Sequence, residues 1–437
     1  MYSNVITAEE TKSLGQLNGS IKISARVSFL RKLLAFSGPG YLIAVGYMDP
    51  GNWATDLAGG SKFGYSLLSV ILLSNVFAIL LQYLSLKLGI VTGKDLAQVC
   101  RDYFPKPVSF ALWISAEIMI IACDLAEVIG AAIALNLLFR IPLLFGVIIT
   151  ALDVLLLLFL LNKGCRALEI VIILLITTIL TCFGFEIFFS QPYILAVFTG
   201  FMPSSHIVTN KEMLYLAVGI LGATVMPHNL YLHSSIVQTR NYRKTKNGKK
   251  EAIKFATIDS TLALSLAFFV NVAILIVSAA TFYTNGYGQI ADIAQAYKLL
   301  SPTVGVGIAG TLFALALLAS GQNSTITGTI AGQVIMEGFF NIHIRPWLRR
   351  IITRLLAIIP AVAVIILYGG QELGKLLILS QVILSVQLSF AVFPLVFFTS
   401  NKKKMGAFVN SWWLKGVATL IAFVIAGLNI WLIFSVF

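Results

Sequence analysis

The sequence predicts an all-α integral membrane protein with eleven transmembrane helices, and three observations lead to this fold class. Hydrophobic residues make up 58% of the 437-residue chain and charged residues only 11%, with a mean hydropathy of +0.91, whereas soluble domains carry about 25% charged residues. Eleven segments are apolar over the roughly 20 residues that a helix needs to cross the hydrocarbon core. Two of these segments, five spans apart, are interrupted by proline and polar residues, which predicts a 5+5 inverted repeat with broken helices 1 and 6.

The eleven predicted spans are separated by short loops that leave no room for a soluble domain. In chain order they cover residues 38–58, 64–88, 110–138, 142–161, 168–189, 213–239, 255–281, 302–332, 347–368, 373–399 and 411–436. We divide the chain into a cytoplasmic N-terminal tail (1–37), a ten-helix inverted-repeat core (38–399) and a cytoplasmic loop with the eleventh helix (400–437). Residues 1–28 lack the apolar core of a signal peptide, so we expect the spans themselves to direct insertion.

The distribution of Lys and Arg between alternate loops predicts the orientation. With the N-terminus inside, 26 of the 31 Lys and Arg residues lie on the cytoplasmic side, including the run RNYRKTKNGKK (240–250). Because positive residues are retained in the cytoplasm, we expect a multi-pass protein of the cell membrane with its C-terminus outside. The formal charge is +13, and we expect the basic run 240–250 to be a cytoplasmic loop that contacts anionic lipid. No nucleic-acid-binding fold accompanies that charge, so we expect no nucleic-acid partner.

Two spans are broken near their middle. The first, GYLIAVGYMDPGNWATDLAGG, breaks at Asp49, Pro50, Gly51 and Asn52. The sixth, YLAVGILGATVMPHNLYLHSS, breaks at Met226, Pro227 and His228. A proline inside a helix leaves the carbonyl four residues back without its donor, which frees the carbonyls of Gly46 and Ala223. Unpaired backbone at this depth is tolerated where a cavity or a ligand satisfies it.

The two breaks together predict a cation site near the membrane midplane. At each break the preceding half-helix ends with its carbonyls, the negative pole of its dipole, and Asp49 adds a full negative charge. The alternative is that the prolines only kink their helices and that Asp49 is hydrogen-bonded in the bundle. A carboxylate at the bilayer centre costs at least about 2.5–3.5 kcal/mol, which favours a binding site.

The donor types at the breaks favour a first-row transition metal. Asp49 and Asn52 offer hard oxygen donors, which alone suit calcium or magnesium, whereas the thioether of Met226 favours softer metals. A methionine is more often a core filler than a ligand. Its place between a freed carbonyl and a proline favours the ligand role here.

The paired motifs resemble those of the Nramp (natural resistance-associated macrophage protein) family, from about Gly38 to Pro394. The resemblance rests on Asp49-Pro-Gly-Asn52, on Met226-Pro-His228 and on the stretch GQNSTITGTIAGQVIMEGF (321–339). It implies a LeuT-type fold and import of Mn²⁺ or Fe²⁺, with Cd²⁺ and Co²⁺ tolerated, coupled to protons by alternating access and without a cofactor. Asn323 departs from the small hydroxyl residue that is usual in the family signature.

The resemblance also implies the residues of the metal site. The side-chain ligands would be Asp49, Asn52 and Met226, joined by the carbonyl of Ala223 and, in some states, that of Gly46. Gln381 matches a position that contacts metal in some conformations. Relatives that carry magnesium differ at the ligand positions, whereas this sequence retains Asp, Asn and Met.

Acidic residues of the third span predict a proton path. The three acids are Glu117, Asp124 and Glu127. At 100° per residue they lie within an arc of about 80°, so they form one polar stripe on an apolar helix. Intramembrane acids mark proton or ion paths, and the resemblance places the proton route here. The alternative is structural neutralisation by Arg354. His228 is expected to link the metal site to the stripe, and His233 is a weaker candidate.

Other function classes fit the sequence less well. A sodium-coupled amino-acid transporter of the same fold would bind a substrate carboxylate, which Asp49 repels. A membrane enzyme is not supported, since the chain has no nucleophile–base pair, no H-E-x-x-H and no Gly-rich phosphate loop. A passive channel would not need a closed ligand set. We therefore expect divalent metal ions, protons and the bilayer as partners, with no obligate protein partner.

Two remaining features are interpreted as structural. The cysteines, Cys100, Cys123, Cys165 and Cys182, lie in or beside apolar segments, outside any C-x-x-C pair. We interpret them as small packing residues. Asp153 is a lone acid in the fourth span, for which we expect a structural role.

Overall fold

The computed structural model describes residues 19, 21–22, 28–152, 165–288, 290, 292–340, 346–368 and 372–436, and these are almost entirely helical. The helices are α1 (Phe29–Phe36), α2 (Pro39–Gly46), α3 (Pro50–Phe63), α4 (Leu68–Thr92), α5 (Leu96–Tyr103), α6 (Lys106–Phe139), α7 (Leu143–Thr150), α8 (Cys165–Ser190), α9 (Ile194–Gly200), α10 (His206–Thr209), α11 (Lys211–Val225), α12 (Pro227–Ile236), α13 (Lys246–Ser278), α14 (Ile293–Val304), α15 (Ala309–Phe340), α16 (Pro346–Tyr368), α17 (Leu373–Thr399), α18 (Lys402–Met405) and α19 (Trp412–Val436). A short parallel pairing joins β1 (Ile21–Lys22) to β2 (Arg240–Asn241).

Eight helical stretches among the described residues are long and apolar enough to cross a membrane. The expected number of eleven stays a prediction, for three reasons. The fourth predicted span, 142–161, is described only to residue 152. The first is split into two short helices, α2 and α3. The eighth, α15, carries the polar run GQNST (321–325), which lowers its hydropathy.

The predicted start of the eighth span was wrong. Residues Ile293–Val304 form the separate helix α14, whose first turn is capped by the side chain of Asp292. The helix ends at Gly305, which has a φ of +76° that only glycine adopts freely. The long helix α15 then begins at Ala309 and continues to Phe340. The span is therefore shifted towards the C-terminus relative to 302–332.

The two broken helices occupy the centre of the bundle. All ten residues of α12 are buried, and so are nearly all residues of α2, α3 and α11. The helices α4, α6, α13, α15 and α17 pack around them. Outer helices expose large apolar side chains, such as Ile366 on α16 and Phe423 on α19. An apolar exterior around a polar centre is the arrangement that a bilayer requires.

Candidate metal site

The first break separates α2 from α3 at residues 47–49. The carboxylate of Asp49 caps α3: its Oδ1 accepts from the backbone N–H of Asn52 at 2.9 Å and from Asn52 Nδ2 at 2.7 Å. Aspartate is a favoured cap because its oxygen satisfies an N–H that has no partner in the first turn. Pro50 follows at the first helical position, where no N–H is needed. The break therefore holds the carboxylate in a fixed orientation.

The second break lies at Met226, between α11 and α12. Met226 has φ +37° and ψ 98°, and Pro227 begins α12. A non-glycine residue in this region costs about 1–3 kcal/mol, and such strain is usually held at functional positions. The Met226 Sδ lies 3.2 Å from where a Cβ on Gly46 would be. The thioether thus packs against the first break, and the absence of a side chain at Gly46 makes room for it.

Three of the predicted ligands meet at the amide of Asn52. Its Nδ2 donates to Asp49 Oδ1 at 2.7 Å and to the carbonyl of Ala223 at 2.9 Å. The second freed carbonyl, that of Gly46, accepts from the backbone N–H of Asp49 at 3.4 Å. An amide presents either oxygen or nitrogen after a 180° rotation. Rotation would turn the Asn52 oxygen towards the same two oxygens and create a set of acceptors suited to a cation.

Gln381 of α17 contacts both breaks. The Gln381 side chain occupies the space where a Cβ of Gly51 would lie. Its backbone carbonyl oxygen likewise occupies the space where a Cβ of Gly222 would lie. Gln381 Nε2 donates to the hydroxyl of Ser380 at 3.0 Å. Only glycine at positions 51 and 222 permits this approach, which brings α17 to the centre of the site.

Further side chains satisfy the backbone at the breaks, and sequence reasoning did not identify them. Asn229 Nδ2 donates to the carbonyl of Ile43 at 3.2 Å. Asn271 Nδ2 donates to the carbonyl of Tyr47 at 2.9 Å and contacts Asn52 Oδ1 at 3.3 Å. For Asn271 the sequence signal was a single amide within an otherwise apolar stretch, whereas Asn229 directly follows the Met226-Pro-His228 motif.

The candidate site is closed to solvent on all sides. Asp49, Asn52, Met226 and Gln381 are each 0% exposed. Asp49 Oδ2 and Gln381 Oε1 have no hydrogen-bond donor, and a buried acceptor without a donor is costly. The described residues contain no group of three His, Cys, Asp or Glu side chains that could hold a metal. That agrees with a donor set made of one carboxylate, amides, carbonyls and a thioether.

The acids of α6 fall into two groups. Glu127 Oε2 lies 3.4 Å from Arg354 Nη1, and the same guanidinium donates to the carbonyl of Thr150 at 3.3 Å. Gly328 lies against Glu127, where a Cβ would come within 2.6 Å of Oε1. Glu117 binds a different arginine, Arg349, through both carboxylate oxygens at 3.0 Å. From the sequence alone, Arg349 is only one of the 26 basic residues expected on the cytoplasmic side.

The two histidines have different surroundings. His228 is 1% exposed and neither ring nitrogen has a hydrogen-bond partner; Asp124 is close enough to interact with the ring electrostatically. His233 Nδ1 lies 2.9 Å from Gln82 Oε1, and Gln82 donates to the hydroxyl of Tyr47 at 2.8 Å. His233 is thus joined to the first break through α4, whereas His228 faces the acids of α6.

The features interpreted as structural are placed as follows. Cys100, Cys123 and Cys182 are buried thiols, and Cys123 Sγ donates to Glu127 Oε1 at 3.7 Å. The side chain of Cys165 and the whole of Asp153 lie outside the described residues.

Comparisons with known proteins agree with this architecture. Residues 40–435 match the family described as natural resistance-associated macrophage protein-like. A Listeria monocytogenes protein named divalent metal cation transporter MntH is 62% identical over 427 residues, which is 98% of this chain and 95% of that protein. A crystal structure of a mutant Eremococcus coleocola manganese transporter is 43% identical, with a TM-score of 0.88, and the match covers 95% of this chain and 90% of that one.

A more distant structure shows the fold alone. Mhp1, a nucleobase-cation-symport-1 family transporter, is 14% identical with a TM-score of 0.62, over 91% of this chain and 90% of that chain. The expected LeuT-type architecture of this multi-pass membrane protein is therefore confirmed. With most of its length matched by the family and by close relatives, the chain belongs to the Nramp family.

Proposed function

We propose that this protein imports divalent transition-metal ions, manganese and ferrous iron above all, into the cytoplasm by proton-coupled alternating access. Cadmium and cobalt would also be accepted. The relatives described above are named as transporters of divalent metal cations or manganese, which agrees with the expectation that the chain is not an enzyme. The ion is the cargo, and the transport cycle needs no further cofactor.

One observation carries the proposal most directly: a carboxylate, an amide and a freed carbonyl from two different broken helices meet within hydrogen-bond distance. Asp49, Asn52 and Ala223 form this group. The Met226 thioether packs beside it. A divalent ion bound there would gain the Asp49 charge and the negative poles of α2 and α11. The sulfur would favour first-row metals over calcium and magnesium.

The proton would use the acids of α6 and the arginine of α16. Glu127 and Arg354 form a buried pair, and His228, two residues after Met226, interacts electrostatically with Asp124. We further propose that the protein lies in the cell membrane with the N-terminus in the cytoplasm and the C-terminus outside. Residues 38–399 would form the transport core and the eleventh helix would be an addition to it.

The test is metal uptake into proteoliposomes under an imposed pH gradient. We expect manganese to enter against its own gradient when the outside is acidic, while calcium and magnesium at equal concentration do not. A trapped pH dye would report the accompanying proton. Uptake of manganese without any response to the gradient would rule out proton coupling, and sodium-driven uptake of labelled amino acids would replace the proposal with an amino-acid transporter.

A further inference from the structure

A second acid on α3, Asp56, is fully buried, and the proposed mechanism gives it no role. Its exposure is 0%, and neither carboxylate oxygen has a hydrogen-bond partner. A buried polar group without a partner is rare in folded proteins. An isolated carboxylate in an apolar interior is so unfavourable that the group holds a proton instead. Burial without a partner therefore favours the neutral acid over the carboxylate at Asp56.

Asn52, Asp56 and Gly60 are four residues apart on α3, so they lie on the same side of the helix. The contacts of Asn52 and Gly60 therefore indicate where Asp56 lies. Asn52 contacts Asn271 of α13 at 3.3 Å. A Cβ on Gly60 would lie 2.6 Å from the carbonyl of Leu275, also on α13. Asp56 lies between these two contacts, at the packed surface of α3 and α13. Seven residues of helix, about 10 Å, separate it from Asp49, on the outer side of the metal site in the proposed orientation.

Within the part of the chain that the structure describes, no cation is paired with Asp56. Residues 271–278 of α13 and residues 279–281, which follow it, contain no charged side chain. Several titratable groups on elements packed against α3 have partners or positions of their own. Glu212 binds Lys62, Lys375 binds Glu372, Asp292 caps α14 and Tyr283 packs on Gly64. Glu127 binds Arg354, Asp124 interacts electrostatically with His228, and Asp49 binds Asn52. Asp56 has hydrogen bonds to none of them, so a proton is what neutralises it.

The segment that carries Asp56 has a natural hinge at each end. The helix break at residues 47–49 precedes α3, and Gly64 ends it with a φ of +58°. A 14-residue half-helix between two such points can tilt as one body. A tilt away from α13 would admit water to Asp56, and a hydrated carboxyl ionises at neutral pH.

We propose that Asp56 is a second proton-binding site of the transporter, which takes up one proton from the outside when the outer half closes over the ion. The proposal rests on the proposed function and deepens it. Because the closed state holds a proton that the open, hydrated state releases, an acidic exterior favours closing. The proton on Asp56 is additional to any that moves along α6.

The experiment measures closing directly, without metal. Ala58 lies on the opposite face of α3 and is 6% exposed, so an Ala58→Cys reporter should be labelled by an impermeant thiol reagent only when the outer half opens. Labelling rates are compared between the reporter alone and the reporter with Asp56→Asn, across external pH. Asn imitates the neutral acid, so the variant should stay closed when the parent opens.

The expected result is a rate ratio, variant to parent, near one in acid that falls as the external pH rises. One linked proton allows a fall of up to about tenfold per pH unit. The intrinsic pH dependence of thiol chemistry cancels in this ratio. A ratio that stays constant with pH overturns the proposal. Asp56→Ser, checked by size-exclusion chromatography, serves if the Asn variant does not fold.

The matched control is Glu186→Gln on α8. Glu186 is also 0% exposed with both oxygens unpartnered, but it lies on a different helix from the broken ones. The ratio of labelling rates for Glu186→Gln relative to the parent reporter should not change with pH. If it falls with pH as much as the ratio for Asp56→Asn, the effect is a general one of removing buried acids, and the proposal is refuted. Since the assay contains no metal, its outcome does not depend on which ion is carried.

Discussion

Asp49 supplies the only full negative charge at the helix breaks, and the closed site leaves one of its oxygens without a donor. We predict that Asp49→Ala abolishes manganese uptake while the protein remains folded. The neutral dipoles that remain would compete poorly with the ion's hydration shell. Uptake at limiting manganese is the measurement, with Asp102→Ala as the control, because Asp102 lies on α5 and pairs there with Lys94, away from the site. Wild-type uptake by Asp49→Ala would remove Asp49 from the site.

Met226 is expected to set the selectivity of the site. Oxygen donors suit calcium, magnesium and manganese alike, so the discrimination must come from a donor that calcium and magnesium do not favour. We predict that Met226→Ala still carries manganese, loses cadmium affinity and admits calcium. A loss of about 1.4 kcal/mol in discrimination corresponds to a tenfold change in preference.

Competition of excess calcium against manganese uptake measures this effect. The matched control is Met48→Ala, since Met48 is also buried beside the first break but is not among the expected ligands. If calcium competes equally with wild type and with Met226→Ala, the methionine is a packing residue and the account of selectivity fails.

At the scale of residues, the sequence predicted the side chains that combine a metal-donor group with a position close to a helix-breaking proline. Asp49 and Met226 each precede a proline directly and Asn52 follows Pro50 by two residues, and the structure places all three at the breaks. Asn229 and Asn271 were missed, although they hold the freed backbone of the first break. Their role depends on which helices pack together, and one sequence contains no direct signal of that packing.

At the scale of elements, α5 offers a test of pH-dependent stability outside the membrane. Asp95 caps this helix and accepts from the backbone N–H of Gln98 at 2.9 Å. Burial raises the pKa of Asp95 from 3.8 to about 7, although the bonds from Gln98 and Ala97 and the charge of Arg101 lower it. The folded state therefore binds the proton more tightly than the unfolded state. The resulting stability is present in acid and is lost as the pH rises from about 4 to 7.

We predict that thermal unfolding in detergent shows a lower stability at pH 8 than at pH 5, and that Asp95→Asn reduces this difference. Asparagine caps a helix as well as aspartate does and does not titrate. Each unit of the pKa difference corresponds to about 1.4 kcal/mol. An equal loss in wild type and variant would mean that Asp95 does not contribute to the pH dependence.

Element boundaries were predicted best where a single residue enforces them. Pro50 and Pro227 begin α3 and α12 at the positions that proline chemistry requires. The predicted eighth span instead included the end of α14, because the apolar residues around Gly305 continue on both sides of the turn. Hydropathy averaged over a window does not detect a one-residue change in backbone direction.

At the scale of the whole molecule, the fold gives separate partners to the two polar regions that the sequence predicts, the helix breaks and the acids of the third span. The hydrogen bonds of the Asp49 carboxylate go to Asn52. Glu127, on α6, binds Arg354 of α16. Hydropathy and charge predicted the bundle and its breaks, but the division of the α6 acids between Arg349 and Arg354 depends on tertiary packing. This separation leads to the hypothesis that metal and proton leave by different routes.

Metal would leave between the two broken helices and the proton along Glu127, Asp124 and Arg354. We predict that Glu127→Gln or Asp124→Asn impairs proton flux, or its pH dependence, more than it impairs manganese binding. A glutamine at position 127 keeps the size of the side chain and removes both the charge that Arg354 binds and the group that carries the proton. The ligands at the breaks are left unchanged, so the affinity for manganese should stay close to that of wild type.

Calorimetry gives the manganese affinity and a dye trapped in proteoliposomes gives the proton flux, each measured on the same preparation. Glu372→Gln is the control, because Glu372 pairs with the exposed Lys375 and lies outside both regions. Loss of the buried partner of Arg354 could also destabilise the bundle, so the unfolding temperature of each variant is compared with that of wild type. If affinity and proton flux fall together in a variant that is fully folded, the two ions share one route and the hypothesis of separate branches is wrong.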